Sequence, residues 1–393
     1  MNSTIVGIGL ASLCSDVGHE MATTVMPALL ASLGVGSATL GLIEGVSDAA
    51  ASFAKLGSGL YSDRLPRRKP LAVAGYFVTA SAMASFAFAS HWWHILIGRA
   101  VGWLGRGART PVRNVLLTEA TTPETYGRAF GFERAMDSLG AVIGPSLSLL
   151  LVAAIGMRST LLLTIVPGIC AALLILFLVR ERPHAPQPHL RLWSSVRNLP
   201  REFRHYLIGV GIAGLGDFSN TLLILWATQA WTPQLGATQA AEWAMAFYIG
   251  YNVVYTASCY ISGSLADRFS KKWVLGIGYS LAIVPAISLS VAGSSMTLFA
   301  VAFAFSGIYM GVWETLENAT AATILPADTR GVGFGVLATV NGLGDFVSSL
   351  AVGVLWSISP QAAMAFVAVA SLVGAAVIVT TREARIAGMS GRQ

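Results

Sequence analysis

Apolar runs of about 20 residues or more follow one another along this chain with only short polar turns between them. Such runs restrict it to folds whose backbone hydrogen bonds are satisfied inside hydrocarbon. They lack the two-residue alternation of a barrel strand, so the spans are helical. Composition agrees, because the 393 residues are 54% hydrophobic and 11% charged, where soluble domains carry about a quarter charged residues. The expected class is an all-α integral membrane protein. Breaks at clusters of charge, proline and glycine predict twelve transmembrane helices over residues 4–33, 39–62, 70–90, 92–119, 127–156, 159–180, 203–230, 239–266, 273–293, 296–324, 329–357 and 361–381.

One charged stretch organises these spans. Gly59-Leu-Tyr-Ser-Asp63-Arg64-Leu-Pro-Arg67-Arg68-Lys69 closes the second run, and Gly263-Ser-Leu-Ala-Asp267-Arg268-Phe-Ser-Lys271-Lys272 closes the eighth, 204 positions later. The same offset pairs Asp16 with Asn220, Asn114 with Asn318, Gly127 with Gly331, Phe130 with Phe334, Asp137 with Asn341 and Gly140 with Gly344. A constant offset implies two parallel copies of a six-helix unit, related by a pseudo-two-fold axis along the membrane normal. The polar, Pro-rich stretch from Arg180 to Arg204 separates them, giving bundles at 1–180 and 205–393 joined by a linker at 181–204.

Lys and Arg gather in the loops after the even-numbered spans and in the tail at Arg382, Arg385 and Arg392, while the opposite loops hold only Arg158. The positive-inside rule places those loops, the linker and both termini in the cytoplasm, consistent with a bacterial-type inner membrane. The net charge of +6 is then topological, and no nucleic acid is implied. The N-terminus lacks a basic n-region and its apolar run is too long for a signal peptide, so it reads as a retained first span. Cys14, Cys170 and Cys259 fall in separate runs and are expected to pack singly as buried thiols, with no disulfide framework or Cys-rich metal motif. Trp92, Trp93, Trp231 and Trp243 sit at outer span ends and are expected to anchor in the headgroup region.

Twelve spans in two parallel halves, a basic central loop and the repeated G-x-L-x-D-R-x-x-x-R/K-K hairpin resemble the major facilitator superfamily of secondary transporters. Pro66 stands where that family usually has Gly, and the second hairpin is shorter. The resemblance implies alternating access between two bundles, a single working chain, no cofactor and no enzyme activity. It also implies a conformational latch at Asp63 and Arg64 and at Asp267 and Arg268. Gly140-Ala-Val-Ile-Gly144-Pro145 resembles the helix motif of proton-coupled antiporters, and Arg99, followed by glycines, resembles their proton-relay arginine.

Ionisable residues inside the membrane are costly and usually face a cavity or a partner. The first span carries Asp16, His19 and Glu20, at i, i+3 and i+4 on one helical face. Two carboxylates so close disfavour being charged together, which suits a proton carrier, and the His-carboxylate set would also suit a divalent metal. The fourth span carries Arg99, Arg106 and Arg113 in one seven-residue stripe with Arg109 to its side. Arg113 is near the end of the span and expected to snorkel; the others need carboxylates or an anionic substrate. Asp137 is expected to pair with one of them. Glu44, Asp48 and Lys55 on the second span read as vestibule or ion-pair residues.

Acids and amides dominate the second half, at Asp217, Asn220, Glu314, Glu317, Asn341 and Asp345, and an acid-rich cavity favours a cationic substrate. The expected function is proton-coupled export of a small cationic or amphipathic compound. Export of a divalent transition metal through Asp16, His19 and Glu20 is one alternative, and a non-transporting receptor or lipid-handling protein is another. The chain has no Walker loop and no Gly-x-Ser-x-Gly elbow.

Overall fold

A computed structural model describes residues 2–34, 37–182, 184–217 and 220–381, which include no strand. Arg382, Arg385 and Arg392 lie outside the described residues. The first bundle comprises α1 (Ser3–Ser32), α2 (Ser37–Arg64), α3 (Lys69–Ala84), α4 (Trp92–Glu119), α5 (Tyr126–Ile155) and a sixth span made of α6 (Met157–Leu163) and α7 (Ile165–Leu178). A short helix, α8 (Leu192–Arg197), lies in the linker. The second bundle has a seventh span in two pieces, α9 (Arg201–Gly214) and α10 (Asn220–Leu235), and an eighth, α11 (Ala237–Arg268). Its ninth span is α12 (Lys271–Ser280) with α13 (Ile283–Ser290), followed by α14 (Met296–Ile324), α15 (Arg330–Ile358) and α16 (Pro360–Thr380).

Two expectations change. The seventh span is not continuous: the helix stops at Gly214, turns through Leu215 and Gly216, and resumes at Asn220, ending at Leu235. Gly216 makes the turn where α16 is so close that a Cβ there would meet the Ser371 hydroxyl at 2.6 Å. Trp231 is no headgroup anchor; it is fully buried against Phe247 and Phe299, and its indole N–H donates to the Ser294 carbonyl at 3.2 Å. Burying both the ring and its one donor outweighs the interfacial preference of an indole.

Among the described residues, seven spans are long and apolar enough to cross a membrane by composition alone. Two helices that carry interior charges, α1 and α4, are not among them. Their polar atoms are covered by neighbouring helices, the arrangement hydrocarbon demands. The chain is a multi-pass membrane protein.

The bundles meet along two pseudo-symmetric seams, α2 against α15 and α5 against α11. At the end bearing the charged hairpins the backbones touch. A Cβ on Gly59 would lie 2.3 Å from the Gly331 carbonyl oxygen, and one on Gly263 would lie 2.1 Å from that of Gly127. Only glycine permits this approach. Phe130 and Phe334 meet across the axis as tilted rings with centroids 6.1 Å apart, and the Asn114 amide donates to Asn318 at 2.9 Å. Further along, Ser52 meets Gly342, and the hydroxyls of Ser138 and Thr256 are 2.8 Å apart. Beyond these the seams part, and a Cβ on Gly45 of α2 or Gly353 of α15 would meet nothing within 4 Å. The bundles are thus closed at the hairpin end and open at the far end.

Cysteines at positions 138 and 256 should therefore form a disulfide readily on oxidation, in a chain whose Cys14, Cys170 and Cys259 are replaced by serine. Adding Gly263→Leu should abolish most of that cross-link by wedging the seam, as read by mass spectrometry.

Candidate functional site

Small residues on α5 bring α1 close. A Cβ on Gly140 would strike the Asp16 Cβ at 2.9 Å and the Leu13 carbonyl at 2.8 Å; one on Gly144 would strike the Glu20 Cβ at 2.7 Å. One turn further, the Ser148 hydroxyl donates to the Met21 carbonyl at 3.1 Å. Pro145 lies inside α5 without ending it. The motif read as antiporter-like and the two acids of the first span are thus one contact. Asp16, 4% exposed, faces α4, where Arg106 Nη1 is 3.1 Å from its Oδ1. The Arg106 side chain is 30% exposed, so the pair has a buried acid and a partly exposed cation.

The arginine stripe of α4 ties three other helices. Arg99 reaches Glu44 of α2 at 2.6 Å and lies over the Trp103 ring at 4.1 Å. Arg106 takes Asp16 of α1. Arg113 does not snorkel: it is buried, 2.6 Å from Glu133 of α5 and 3.0 Å from the Ser12 hydroxyl, which itself donates to Glu133 at 2.7 Å. A fully buried carboxylate is a stronger attractor than the distant headgroups. Arg109, off the stripe, caps the Tyr76 ring face at 4.0 Å.

Asp137 pairs with no arginine of α4. It is 3.2 Å from Arg134 on its own helix, three residues back, where the i, i+3 spacing keeps the two side chains together. Arg134 also reaches Glu133 at 3.6 Å and crosses the bundle interface to Glu314 of α14 at 3.0 Å. On the other seam, Lys55 feels the charges of Asp345 and Glu314, and Asp345 lies against Asp217 at the break in the seventh span. The Asn220 side chain lies outside the described residues. Glu317, buried in the second bundle, is held by neutral donors, namely the Tyr279 hydroxyl, the Trp313 indole and the Asn341 amide, the last at 2.5 Å.

At the hairpin end each aspartate caps a helix of the other bundle. Asp63 accepts from the backbone N–H groups of Gly331 and Val332 at 3.1 and 2.9 Å, and Asp267 from those of Gly127 and Arg128 at 2.8 and 2.9 Å. The arginines next to them are not their partners. Arg64 donates to the Leu190 carbonyl in the linker, and Arg268 is exposed with no ion pair among the described residues. One residue along a helix turns a side chain about 100°, so the paired cations are Arg68 at 3.2 Å from Asp63, and Lys271 and Arg128 at 3.4 and 3.1 Å from Asp267.

The shared face of Asp16, His19 and Glu20 does not become a ligand set, and among the described residues no three metal-capable side chains converge. Asp16 is committed to Arg106, while the His19 ring lies 4.5 Å from Trp103, with Nε2 3.7 Å from Glu20. Cys14 and Cys170, expected to be isolated, have sulfurs 3.8 Å apart where α1 packs on α7, and Cys170 is exposed. Trp103 was not marked by the sequence as a site residue, yet it lies between His19 and Arg99 and its N–H donates to Asp48 at 2.8 Å. Its position one turn from both Arg99 and Arg106 was the available signal.

Two parallel six-helix bundles thus meet at one end and part at the other, with the charged pairs of α1, α2, α4 and α5 in the interior. The profile of the Major Facilitator Superfamily matches residues 8–240 and 206–388, and the chain belongs to that family of secondary transporters. It is 28% identical over 363 residues to an uncharacterised MFS-type transporter of Methanocaldococcus jannaschii, covering 92% of this chain and 90% of that one. It is 25% identical over 390 residues to the 4-hydroxybenzoate transporter PcaK of Pseudomonas aeruginosa, covering 90% and 86%. The fold matches an outward-facing bacterial homologue of the iron transporter ferroportin with a TM-score of 0.78 at 15% identity, over 96% of this chain and 98% of that one.

Removing Arg113 leaves the buried Glu133 carboxylate with the longer 3.6 Å contact to Arg134 and the Ser12 hydroxyl alone. Arg113→Met should therefore cost about 3 kcal/mol, seen as a lowered thermal midpoint in detergent. The double substitution with Glu133→Gln should recover most of the loss.

Proposed function

We propose that the chain is a proton-coupled antiporter that exports a small cationic or amphipathic organic compound, with Asp16 as the proton site. The observation that carries this reading is the Asp16–Arg106 pair beside the α1–α5 contact, a buried acid with a partly exposed partner. Protonating Asp16 removes its charge and frees Arg106, so occupancy by a proton alters the field in the cavity and the helix contact together. Most interior arginines are already matched by carboxylates: Arg99 by Glu44, Arg113 by Glu133, and Arg134 by Glu133, Asp137 and Glu314. Glu20 and Asp48 have no arginine within ion-pair distance among the described residues, which leaves acidic groups to receive a cation. Loop charge supports the hairpin end being cytoplasmic, so the open cavity faces outward, and Asp63 and Asp267 act as latches of that state. The chain works as a single copy in a bacterial-type inner membrane.

A second reading, proton-coupled uptake of an aromatic carboxylate, is favoured by the 4-hydroxybenzoate transporters among the relatives. Arg106 would then receive the carboxylate once Asp16 is protonated.

In proteoliposomes with an imposed pH gradient, Asp16→Asn should lower gradient-driven flux of tetraphenylphosphonium at least tenfold, while exchange without a gradient persists. Undiminished gradient-driven flux removes Asp16 from the coupling role. Gradient-driven accumulation of 4-hydroxybenzoate, without tetraphenylphosphonium flux, selects the second reading.

A further inference from the structure

At the hairpin end of the first bundle a groove of about 980 Å³ lies on the outer surface, between the start of α3 and the end of α7. Its upper rim is basic, formed by Arg67, Lys69, Arg180 and Arg182, and its lower wall is apolar, with Phe77 53% and Phe177 73% exposed. One acid, Glu181, stands among the cations. Its carboxylate is already engaged, accepting from the backbone N–H groups of Arg68 and Lys69 where α3 begins. Lys69 spends one of its three donors on the Val179 carbonyl at 2.8 Å. Arg67, Arg180 and Arg182 are exposed and have no ion pair among the described residues. The groove lies apart from the cavity between the bundles and from every ion pair described above except the neighbouring Arg68.

We propose that this groove binds an anionic phospholipid, with the three arginines and Lys69 holding the phosphodiester and headgroup and the acyl chains lying along Phe77 and Phe177. Three unmatched guanidiniums converge on one place, which calls for an anion with several acceptor oxygens. The cations sit at the level where headgroups meet a helix bundle, and the apolar wall descends from them into the hydrocarbon. A soluble anion would satisfy the arginines and make no use of that wall. A zwitterionic lipid would fit the wall and bring its own cation into a site already rich in them.

The purified full chain in detergent, titrated with phosphatidylglycerol and with phosphatidylcholine and read by native mass spectrometry, tests this. Phosphatidylglycerol should bind at least tenfold more tightly. Arg67→Gln, Arg180→Gln and Arg182→Gln together should erase that preference, and Arg182→Gln alone should weaken phosphatidylglycerol about fivefold. The exposed linker triple Arg191→Gln, Arg197→Gln and, at the linker's end, Arg201→Gln removes the same charge elsewhere and should leave the preference intact. The proposal is overturned if the first triple keeps the preference, if the linker triple loses it equally, or if inorganic phosphate displaces the lipid. Should the first triple fail to fold, an unchanged affinity in Arg182→Gln overturns it as well.

Discussion

The carboxylates of Asp63 and Asp267 each sit on the first backbone N–H groups of a helix in the opposite bundle, and the closed end of the molecule depends on those two contacts. A helix N-terminus presents unsatisfied donors and a partial positive charge, so an acid placed there makes charge-assisted hydrogen bonds. Each such bond contributes about 1.5–3 kcal/mol. The geometry requires backbone to meet backbone, which is why glycine occupies both sides at Gly59 and Gly331 and at Gly263 and Gly127. Duplication explains why the interactions come in pairs. The residues that meet on the axis, Asn114 with Asn318 and Phe130 with Phe334, are those related by the 204-residue offset.

Away from the axis the copies have diverged, and the divergence sets the chemistry of the cavity. In the first bundle α4 works as a ladder of cations, each rung fixing a carboxylate from another helix, and Arg134 extends the ladder into the second bundle at Glu314. In the second bundle the counterpart of Arg113 is Glu317, and it is surrounded by a phenol, an indole and an amide instead of a cation. Buried charge is therefore met by opposite charge along the stripe of the first bundle, and at Glu317 of the second by hydrogen bonds from neutral donors. Of the rungs, Arg106 is the one that is both paired with a buried acid and partly exposed itself.

Most of the architecture was legible in the sequence because it rests on features with a fixed period. Span lengths follow from bilayer thickness, and the offset of 204 announced the symmetry that the seams display. Local breaks were less legible. The turn at Leu215 and Gly216 depends on how closely α16 packs, and the burial of Trp231 depends on Phe247 and Phe299, neither of which a linear pattern reveals. Residue pairing was legible by class but not by partner. The arginines of α4 had to find carboxylates, yet which helix supplied each one was a tertiary fact, and Asp137 found Arg134 on its own helix. The same limit separated Arg64 from Asp63 and joined Cys14 to Cys170.

The aspartate caps keep the hairpin end shut and thereby keep the far end open. Gly45 on α2 and Gly353 on α15 stand along the line that begins at Gly59 and Gly331, with open space around both. Nitroxide labels on cysteines at positions 45 and 353, measured by pulsed electron paramagnetic resonance in lipid nanodiscs, report the width of the far end. With Asp63 and Asp267 intact the distance distribution should be dominated by the wide state, and Asp63→Asn with Asp267→Asn should move its main population to a shorter distance. A distribution that is the same with and without the two carboxylates would contradict the account.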